Sequence, residues 1–167
     1  MHKMTQQNLW SAFAGESQAH MKYLIFSEVA RNSQKPNISR LLKAISFAEQ
    51  VHATNHLRAL SGINETPENL DVAIGGETFE VEEMYPVYHN DAVFQNEKDA
   101  ERSTHYALEA EKIHARMYKT AKDAAAKGED MKLGEVYICP VCGFTGEGEP
   151  PGFCPVCGAD HRIFKRF

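Results

Sequence analysis

Two copies of a Glu-x-x-His motif could do chemistry in this sequence. The first places Glu49 and His52 between apolar flanks, and the second places Glu111 and His114 in the same Ala-Glu-x-x-His-Ala frame. Residues three apart share one face of an α-helix, so each motif presents a carboxylate and an imidazole to a common point. In helix bundles, two such motifs and two further glutamates build a dinuclear carboxylate metal site. We therefore predict that these four side chains bind metal.

Three more glutamates extend this ligand set. Glu16 lies on the apolar stripe of an N-terminal helix, where a carboxylate is costly unless it is paired or bound to metal. Glu80 and Glu83 are three apart in a later helical segment. Glu16 precedes Glu49 by 33 residues and Glu80 precedes Glu111 by 31, which indicates two related helical hairpins. Mixed carboxylate and imidazole ligands suit iron or manganese. The plain alternative is a bundle with exposed acidic residues and structural histidines.

All four cysteines lie between residues 139 and 157, as two Cys-x-x-Cys pairs separated by eleven residues. None is left over, which is metal-ligand usage rather than a disulfide framework. The spacing predicts a tetrahedral four-thiolate site made by Cys139, Cys142, Cys154 and Cys157. Spacing alone leaves a structural zinc ribbon and an iron centre about equally supported.

Aromatic residues around the cysteines favour iron over zinc. We expect Tyr137, Phe144, Phe153 and Phe164 to form a dry shell that would tune a redox centre. The dimetal site upstream points the same way, because a redox centre there needs a supply of electrons.

Hydrophobic periodicity predicts a mainly α-helical chain. Steps of three and four residues indicate helices over 5–33, 38–61 and 96–127, and another helix that begins near Thr78 and is kinked by Pro86. Residues 62–77, with a Gly75-Gly76 break, are interpreted as a long connection. A ferritin-like four-helix bundle needs one such long crossover. The connection is also long enough to pass the second helix pair to a partner chain.

Composition and charge exclude several classes of protein. The net charge of −5 and the pI near 5.9 argue against a nucleic-acid partner. No run approaches the roughly 18 apolar residues of a membrane span. Met1–Gln7 lacks the apolar core of a signal peptide, so we expect a cytoplasmic protein. A change in composition predicts two domains, a bundle over 1–130 and a small β domain over 131–167.

The chain resembles the rubrerythrin family over nearly its whole length. The resemblance is carried by Phe13-Ala14-Gly15-Glu16, by Glu83-Met84-Tyr85-Pro86, and by the Cys-Pro-Val-Cys-Gly pairs of a rubredoxin-like tail. It implies a non-haem di-iron peroxidase that reduces hydrogen peroxide to water and protects against oxidative stress. It also implies that electrons come from NAD(P)H through an external rubredoxin or NAD(P)H-dependent reductase and pass through the rubredoxin-type iron, for which zinc is a substitute.

The resemblance also implies roles for the individual ligands. Glu49 and Glu111 would bridge the two irons, Glu16 and Glu80 would be terminal ligands, and His114 would hold the second iron. Glu83 and His52 would exchange at one iron as its redox state changes. A third catalytic candidate comes from spacing alone: Tyr23 lies seven residues after Glu16 on the same helix face, where it would either hydrogen-bond a ligand carboxylate or be a core tyrosine.

The family pattern also leads us to expect a homodimer or higher oligomer. The tether after the fourth helix is short, and dimers in the family place the rubredoxin-like domain of one chain near the di-iron site of another. Two other functions compete with the peroxidase. One is a ferritin-type ferroxidase or iron-storage protein with a structural metal tail, and the other is an electron carrier or zinc-stabilised scaffold with redox-inert bundle metals.

Overall fold

The computed structural model describes all residues from 1 to 167. It is mainly α-helical with a small C-terminal sheet, as the sequence predicts. The chain divides into two compact units, Met1–Asn64 and Glu65–Phe167, and each is described by itself. The elements in order are the helices α1 (Lys3–Asn32), α2 (Pro36–Ala59), α3 (Thr66–Phe79), a π-helical turn (Glu80–Met84), α4 (Tyr85–Phe94) and α5 (Lys98–Ala125), then the strands β1 (Val136–Ile138), β2 (Thr145–Glu147) and β3 (Lys165–Arg166).

The first unit is a hairpin in which α1 packs against α2. A tight turn with Gln34 at φ 57° ends α1, and Pro36 begins α2, where its missing N–H costs nothing. Ser46 is almost fully buried between the helices and donates a hydrogen bond of 2.8 Å to the His20 carbonyl. The His20 ring lies 2.9 Å from the Ser46 carbonyl oxygen, so this histidine joins the two helices.

The hairpin leaves many large apolar side chains exposed. They include Phe26, Val29, Leu41 and Phe47, each between 49% and 64% exposed. Burying apolar surface contributes about 25 cal/mol per Å². This hairpin therefore has apolar surface that a further helix pair could cover.

The prediction that residues 62–77 form a long connection is wrong. Helix α3 begins at Thr66, with Pro67 in its first turn, so the connection is only Leu60 to Glu65. Gly75 and Gly76 lie inside the helix and not in a loop. Each glycine costs a helix about 1 kcal/mol relative to alanine, and packing of α3 against α5 overrides this local preference. The third helix thus begins twelve residues before Thr78.

Where Pro86 is predicted to kink the helix just past Glu83, the structure has a π-helical turn between α3 and α4. The π-helical turn covers Glu80–Met84, and Pro86 falls in the first turn of α4. Single π-helical turns insert one extra residue per turn and are frequent at functional sites. This turn contains both Glu80 and Glu83 and changes which face each of them occupies.

The C-terminal segment folds around a three-stranded antiparallel sheet in the order β2-β1-β3. The ring of Tyr137 in β1 stacks on Phe164 with centroids 5.7 Å apart. Gly146 lies beneath the same ring, where a Cβ atom would come within 2.3 Å of it. Among the helices, none is long and apolar enough to cross a membrane.

Candidate metal centres

The four cysteines form a compact sulfur cluster. Their Sγ atoms all lie within 4.8 Å of one another. Cys139 Sγ is 3.5 Å from Cys157 Sγ, and Cys142 Sγ is 3.4 Å from Cys154 Sγ. A disulfide would need about 2.05 Å, whereas a tetrahedral metal with bonds of about 2.3 Å needs sulfurs about 3.8 Å apart. The cluster therefore fits a tetrahedral metal ion and does not fit disulfides.

Two matching backbone turns hold these sulfurs. Gly143 N–H donates to the Cys139 carbonyl, and Gly158 N–H donates to the Cys154 carbonyl, both at 2.9 Å. Both glycines have positive φ, +81° and +75°, a conformation that L side chains rarely adopt. Burial raises the pKa of the Cys142 thiol, so this sulfur keeps its proton unless a metal ion replaces it.

The predicted aromatic shell is correct for three of its four residues. Phe144 and Phe164 pack against the buried cysteines, and Tyr137 lies behind them. Phe153 is 67% exposed and does not belong to the shell. Tyr106 of α5 packs against the cysteines as well. A residue from the helical region therefore helps to exclude water from the sulfur cluster.

The first hairpin brings its three predicted ligands together. Ligand atoms of Glu16, Glu49 and His52 lie within 4.8 Å of one another. Nδ1 of His52 is 2.9 Å from a carboxylate oxygen of Glu49. The His52 side chain is 54% exposed, while that of Glu49 is only 17% exposed.

The second hairpin forms an equivalent group from α3 and α5. Ligand atoms of Glu77, Glu111 and His114 lie within 4.8 Å of one another. Nδ1 of His114 is 2.6 Å from a carboxylate oxygen of Glu111. The side chains of Glu111 and His114 are 17% and 28% exposed. This group is therefore less open to solvent at its histidine than the first one.

Glu77 takes the place in this group that we expected for Glu80. Glu77 precedes Glu111 by 34 residues, which is closer than 31 to the separation of 33 in the first hairpin. That match was available in the sequence, but Glu77 fell in the segment interpreted as a connection. Glu80 lies near enough to interact with Glu111 and His114, and Glu83 lies outside the tight group.

The electrostatics of this group fit a metal cation. Burial, followed by a hydrogen bond with Glu111 and the negative charge of Glu111, raises the pKa of Glu77 to about 8. Burial and the charge of Glu111 also raise the pKa of Glu80. Three carboxylates thus share a space with too little positive charge. A divalent metal ion would offset the repulsion and take the oxygen and nitrogen ligands that iron and manganese accept.

Tyr23 makes no hydrogen bond to Glu16 and is half-buried on α1. Its catalytic role stays a prediction. Tyr85, at the start of α4, lies near the carboxylates of the second group. Its pKa is raised by burial and then by the negative charges of Glu80, Glu111 and Glu77. In the sequence, Tyr85 belongs to the Glu83-Met84-Tyr85-Pro86 motif, and no role was predicted for it.

The cysteine domain contacts the second group within the same chain. Oγ1 of Thr145, in β2, lies 2.9 Å from Nε2 of His114. A Cβ atom placed on Gly143 would lie 3.6 Å from the Cβ atom of Ala110, so the backbone at Gly143 is close to α5. The short tether after α5 thus allows the tail to reach His114 of its own chain, while the placement near another chain's site stays a prediction. The segment after α5 turns back far enough to place β2 beside this helix.

Comparisons with known proteins agree with both parts of the chain. The family model described as Rubrerythrin matches residues 7–122, and the one described as Rubrerythrin, rubredoxin-like domain, matches residues 137–165. Rubrerythrin-2 of Clostridium acetobutylicum is 48% identical, covering 98% of this chain and 97% of the relative. Nigerythrin of Nitratidesulfovibrio vulgaris is 30% identical, covering 98% and 86%.

A solved structure is similar over the same extent. Nigerythrin in a mixed-valence state has a TM-score of 0.57 and 27% identity, covering 98% of this chain and 86% of that one. Another structure of nigerythrin is described as fully reduced and all ferrous. The Glu/His groups and the cysteine cluster supply the ligand chemistry for a di-iron site and a rubredoxin-type iron site. The chain is a member of the rubrerythrin family, an oxidoreductase group.

Proposed function

We propose that this protein is an NAD(P)H-linked peroxidase that reduces hydrogen peroxide to water. Each peroxide takes two electrons and two protons and gives two waters. The observation that carries the proposal is the hydrogen bond between Thr145 of the cysteine domain and His114 of the Glu/His group. A site that stores iron needs no such contact with a thiolate centre. The bound irons would supply the electron-transfer chemistry.

The ligand roles extend this proposal. Glu49 and Glu111 would hold both metals, Glu16 would be a terminal ligand in the first hairpin, and either Glu77 or Glu80 would be its counterpart. Glu83 and His52 would alternate as ligands with redox state. In support, His52 is more than half exposed and is held through Nδ1 by Glu49. Glu83 lies in the π-helical turn, an element that is frequent at functional sites.

The electron donor and the setting belong to the same proposal. An external rubredoxin or NAD(P)H-dependent reductase delivers electrons to the cysteine-bound iron in the cytoplasm. The domains are the bundle over residues 1–130 and the rubredoxin-like domain over 131–167. The bundle is the unit of peroxide chemistry, and the tail is the unit of electron entry.

The connection between the hairpins favours a dimer with exchanged helix pairs. A ferritin-like crossover must run the length of α2, which has 24 residues and is about 36 Å long. The six residues from Leu60 to Glu65 span at most about 21 Å when extended. Two chains that exchange hairpins need no crossover, and the exposed apolar side chains of the first hairpin would be buried.

Complementation between two inactive variants tests the exchange. One chain carries Glu16→Ala and Glu49→Ala, and the other carries Glu111→Ala and His114→Ala. In exchanged dimers, each mixed dimer contains one site with both hairpins intact, so a random mixture recovers about a quarter of wild-type turnover. Without exchange, every site has one damaged hairpin, and mixing recovers nothing.

The peroxidase itself is tested by stoichiometry. Fully reduced, iron-loaded protein is titrated with hydrogen peroxide without oxygen, and both iron chromophores are followed. We expect each peroxide to remove two electrons and the thiolate iron to become oxidised. Growth of an iron core from added ferrous iron, with no need for a reductant, would favour the ferroxidase function instead.

A further inference from the structure

Thr145 is a buried residue whose hydroxyl lies between two groups. It begins β2 and is only 6% exposed. Its Oγ1 donates a hydrogen bond of 3.0 Å to the Gly143 carbonyl and lies 2.9 Å from Nε2 of His114. Neither the metal ligands nor the family motifs account for a buried hydroxyl at this position.

Counting protons fixes the form of the His114 ring. A carbonyl oxygen can only accept, so the single hydroxyl proton of Thr145 goes to Gly143. The remaining contact then requires Nε2 of His114 to be the donor. Nδ1 lies 2.6 Å from a carboxylate oxygen of Glu111 and shares a proton with it when no metal is bound, and a metal ion would displace that proton and use the Nδ1 electron pair. This is the nitrogen that must bind a metal shared with Glu111.

The same hydroxyl joins the metal ligand to the sulfur cluster. Gly143 directly follows Cys142, and its carbonyl is the acceptor for Thr145. The turn that contains Gly143 packs beside Ala110, the residue before Glu111. A short path of covalent and hydrogen bonds therefore runs from Cys142 through Gly143 and Thr145 to His114.

We propose that Thr145 is a positioning residue through which the rubredoxin-like domain holds His114 in the form that binds metal through Nδ1. The proposal rests on the proposed function only in that Glu111 and His114 bind metal. Partners of this kind orient metal-binding histidines and fix which nitrogen is free. Here the partner comes from a different domain, so docking of the tail and ordering of the bundle ligand are one event.

Substitutions at Thr145 test the proposal in the full chain with iron in the cysteine site. Thr145→Val keeps the shape and removes the hydroxyl, while Thr145→Ser keeps the hydroxyl. Thr120→Val is a matched control. Thr120 is exposed on α5, the helix that carries His114, and its hydroxyl bonds only to the Arg116 carbonyl. Ferrous iron affinity of the Glu/His site is measured without oxygen or peroxide.

We expect Thr145→Val to lower ferrous iron affinity by about 10- to 100-fold. Thr145→Ser and Thr120→Val should stay within about 2-fold of wild type, since both keep the hydrogen bond to His114. A second readout is the Nε2–H resonance of His114 in protein loaded with zinc at the Glu/His site. It should exchange slowly with water in wild type and in Thr145→Ser, and rapidly in Thr145→Val.

Unchanged affinity and unchanged proton exchange in Thr145→Val would overturn the proposal. If Thr145→Val alters the visible spectrum of the thiolate iron, the same measurements are made on Thr145→Ala instead, because alanine removes the hydroxyl without adding bulk. Disturbance of that spectrum by both variants would show that the hydroxyl serves the cysteine turn, which also contradicts the proposal. None of these readouts uses peroxide, so failure of the peroxidase function would be seen separately.

Discussion

The two hairpins present the same three kinds of ligand in different surroundings. In the first, His52 is 54% exposed and lies 2.9 Å from Glu49. In the second, His114 is 28% exposed, lies 2.6 Å from Glu111 and is also bonded to Thr145. The same motif thus gives His52 a hydrogen bond at one ring nitrogen and gives His114 hydrogen bonds at both. The second group suits a fixed ligand, and the first suits a ligand that moves.

The difference arises from what covers each helix. The turn of the cysteine domain at Gly143 packs on α5 beside Ala110, and Thr145 lies over His114. Within its own hairpin, the ring of His52 is hydrogen-bonded only to Glu49. The tail therefore supports the histidine of the second group, and the first hairpin by itself supplies no comparable hydrogen bond to His52.

Removal of one cysteine should abolish the difference between the two groups. In Cys154→Ala the tetrahedral site loses a ligand, and the thiolate iron should be absent. The turn that carries Thr145 then loses its support, so the Nε2–H of His114 should exchange with water rapidly. Visible absorption and proton exchange measure the two effects. An intact exchange rate with no thiolate iron would show that the turn folds without metal.

Substitution of each histidine compares the groups directly. We expect His114→Ala to lower ferrous iron affinity on the order of 100-fold and His52→Ala on the order of 10-fold. His114 should matter more because the hydrogen bond to Thr145 already holds its ring in place and persists when Nδ1 binds metal, so the ring loses little freedom on binding. Anaerobic titration with ferrous iron measures both. Equal losses would mean that the hydrogen bond to Thr145 has no energetic effect.

The metal motifs were predictable because they depend on local spacing. Glu49 and His52 lie three apart on one helix, and a helix fixes their geometry wherever it packs. Glu77 was missed because Gly75-Gly76 resembles a break, although helix propensity is a weak guide once tertiary packing intervenes. Thr145 could not be found from spacing. It is 31 residues from His114 in the sequence, and the contact depends on how the small β domain packs against α5.

The pH dependence of stability should reveal the crowded carboxylates of the second hairpin. In metal-free protein, burial and the neighbouring Glu111 raise the pKa of Glu77 to about 8 from its ordinary value of 4.5. The folded state therefore binds more protons than the unfolded state between these values. The free energy of unfolding should fall as the pH rises from about 4.5 towards about 8. Denaturant unfolding measures this slope, and Glu77→Gln should reduce it. An equal slope in the variant would contradict the assignment.

A smaller change in stability is expected from helix α3. This helix contains Gly75 and Gly76, whereas α2 of the first hairpin contains no glycine. Nothing lies within 4 Å of a Cβ placed on Gly75. Gly75→Ala should therefore stabilise the protein by up to about 1 kcal/mol. Gly146→Ala is the contrasting control, because its Cβ would come within 2.3 Å of the Tyr137 ring. Thermal unfolding measures both, and destabilisation by Gly75→Ala would argue against a continuous α3.

Single-turnover stopped-flow tests most directly whether the two metal centres act together. Iron-loaded protein is reduced without oxygen and mixed with hydrogen peroxide, and both iron chromophores are followed in time. We expect the di-iron site to be oxidised first and the thiolate iron to follow as peroxide is consumed. If only the di-iron site reacts while the thiolate iron stays reduced, no electron passes between the domains, and the peroxidase proposal is contradicted.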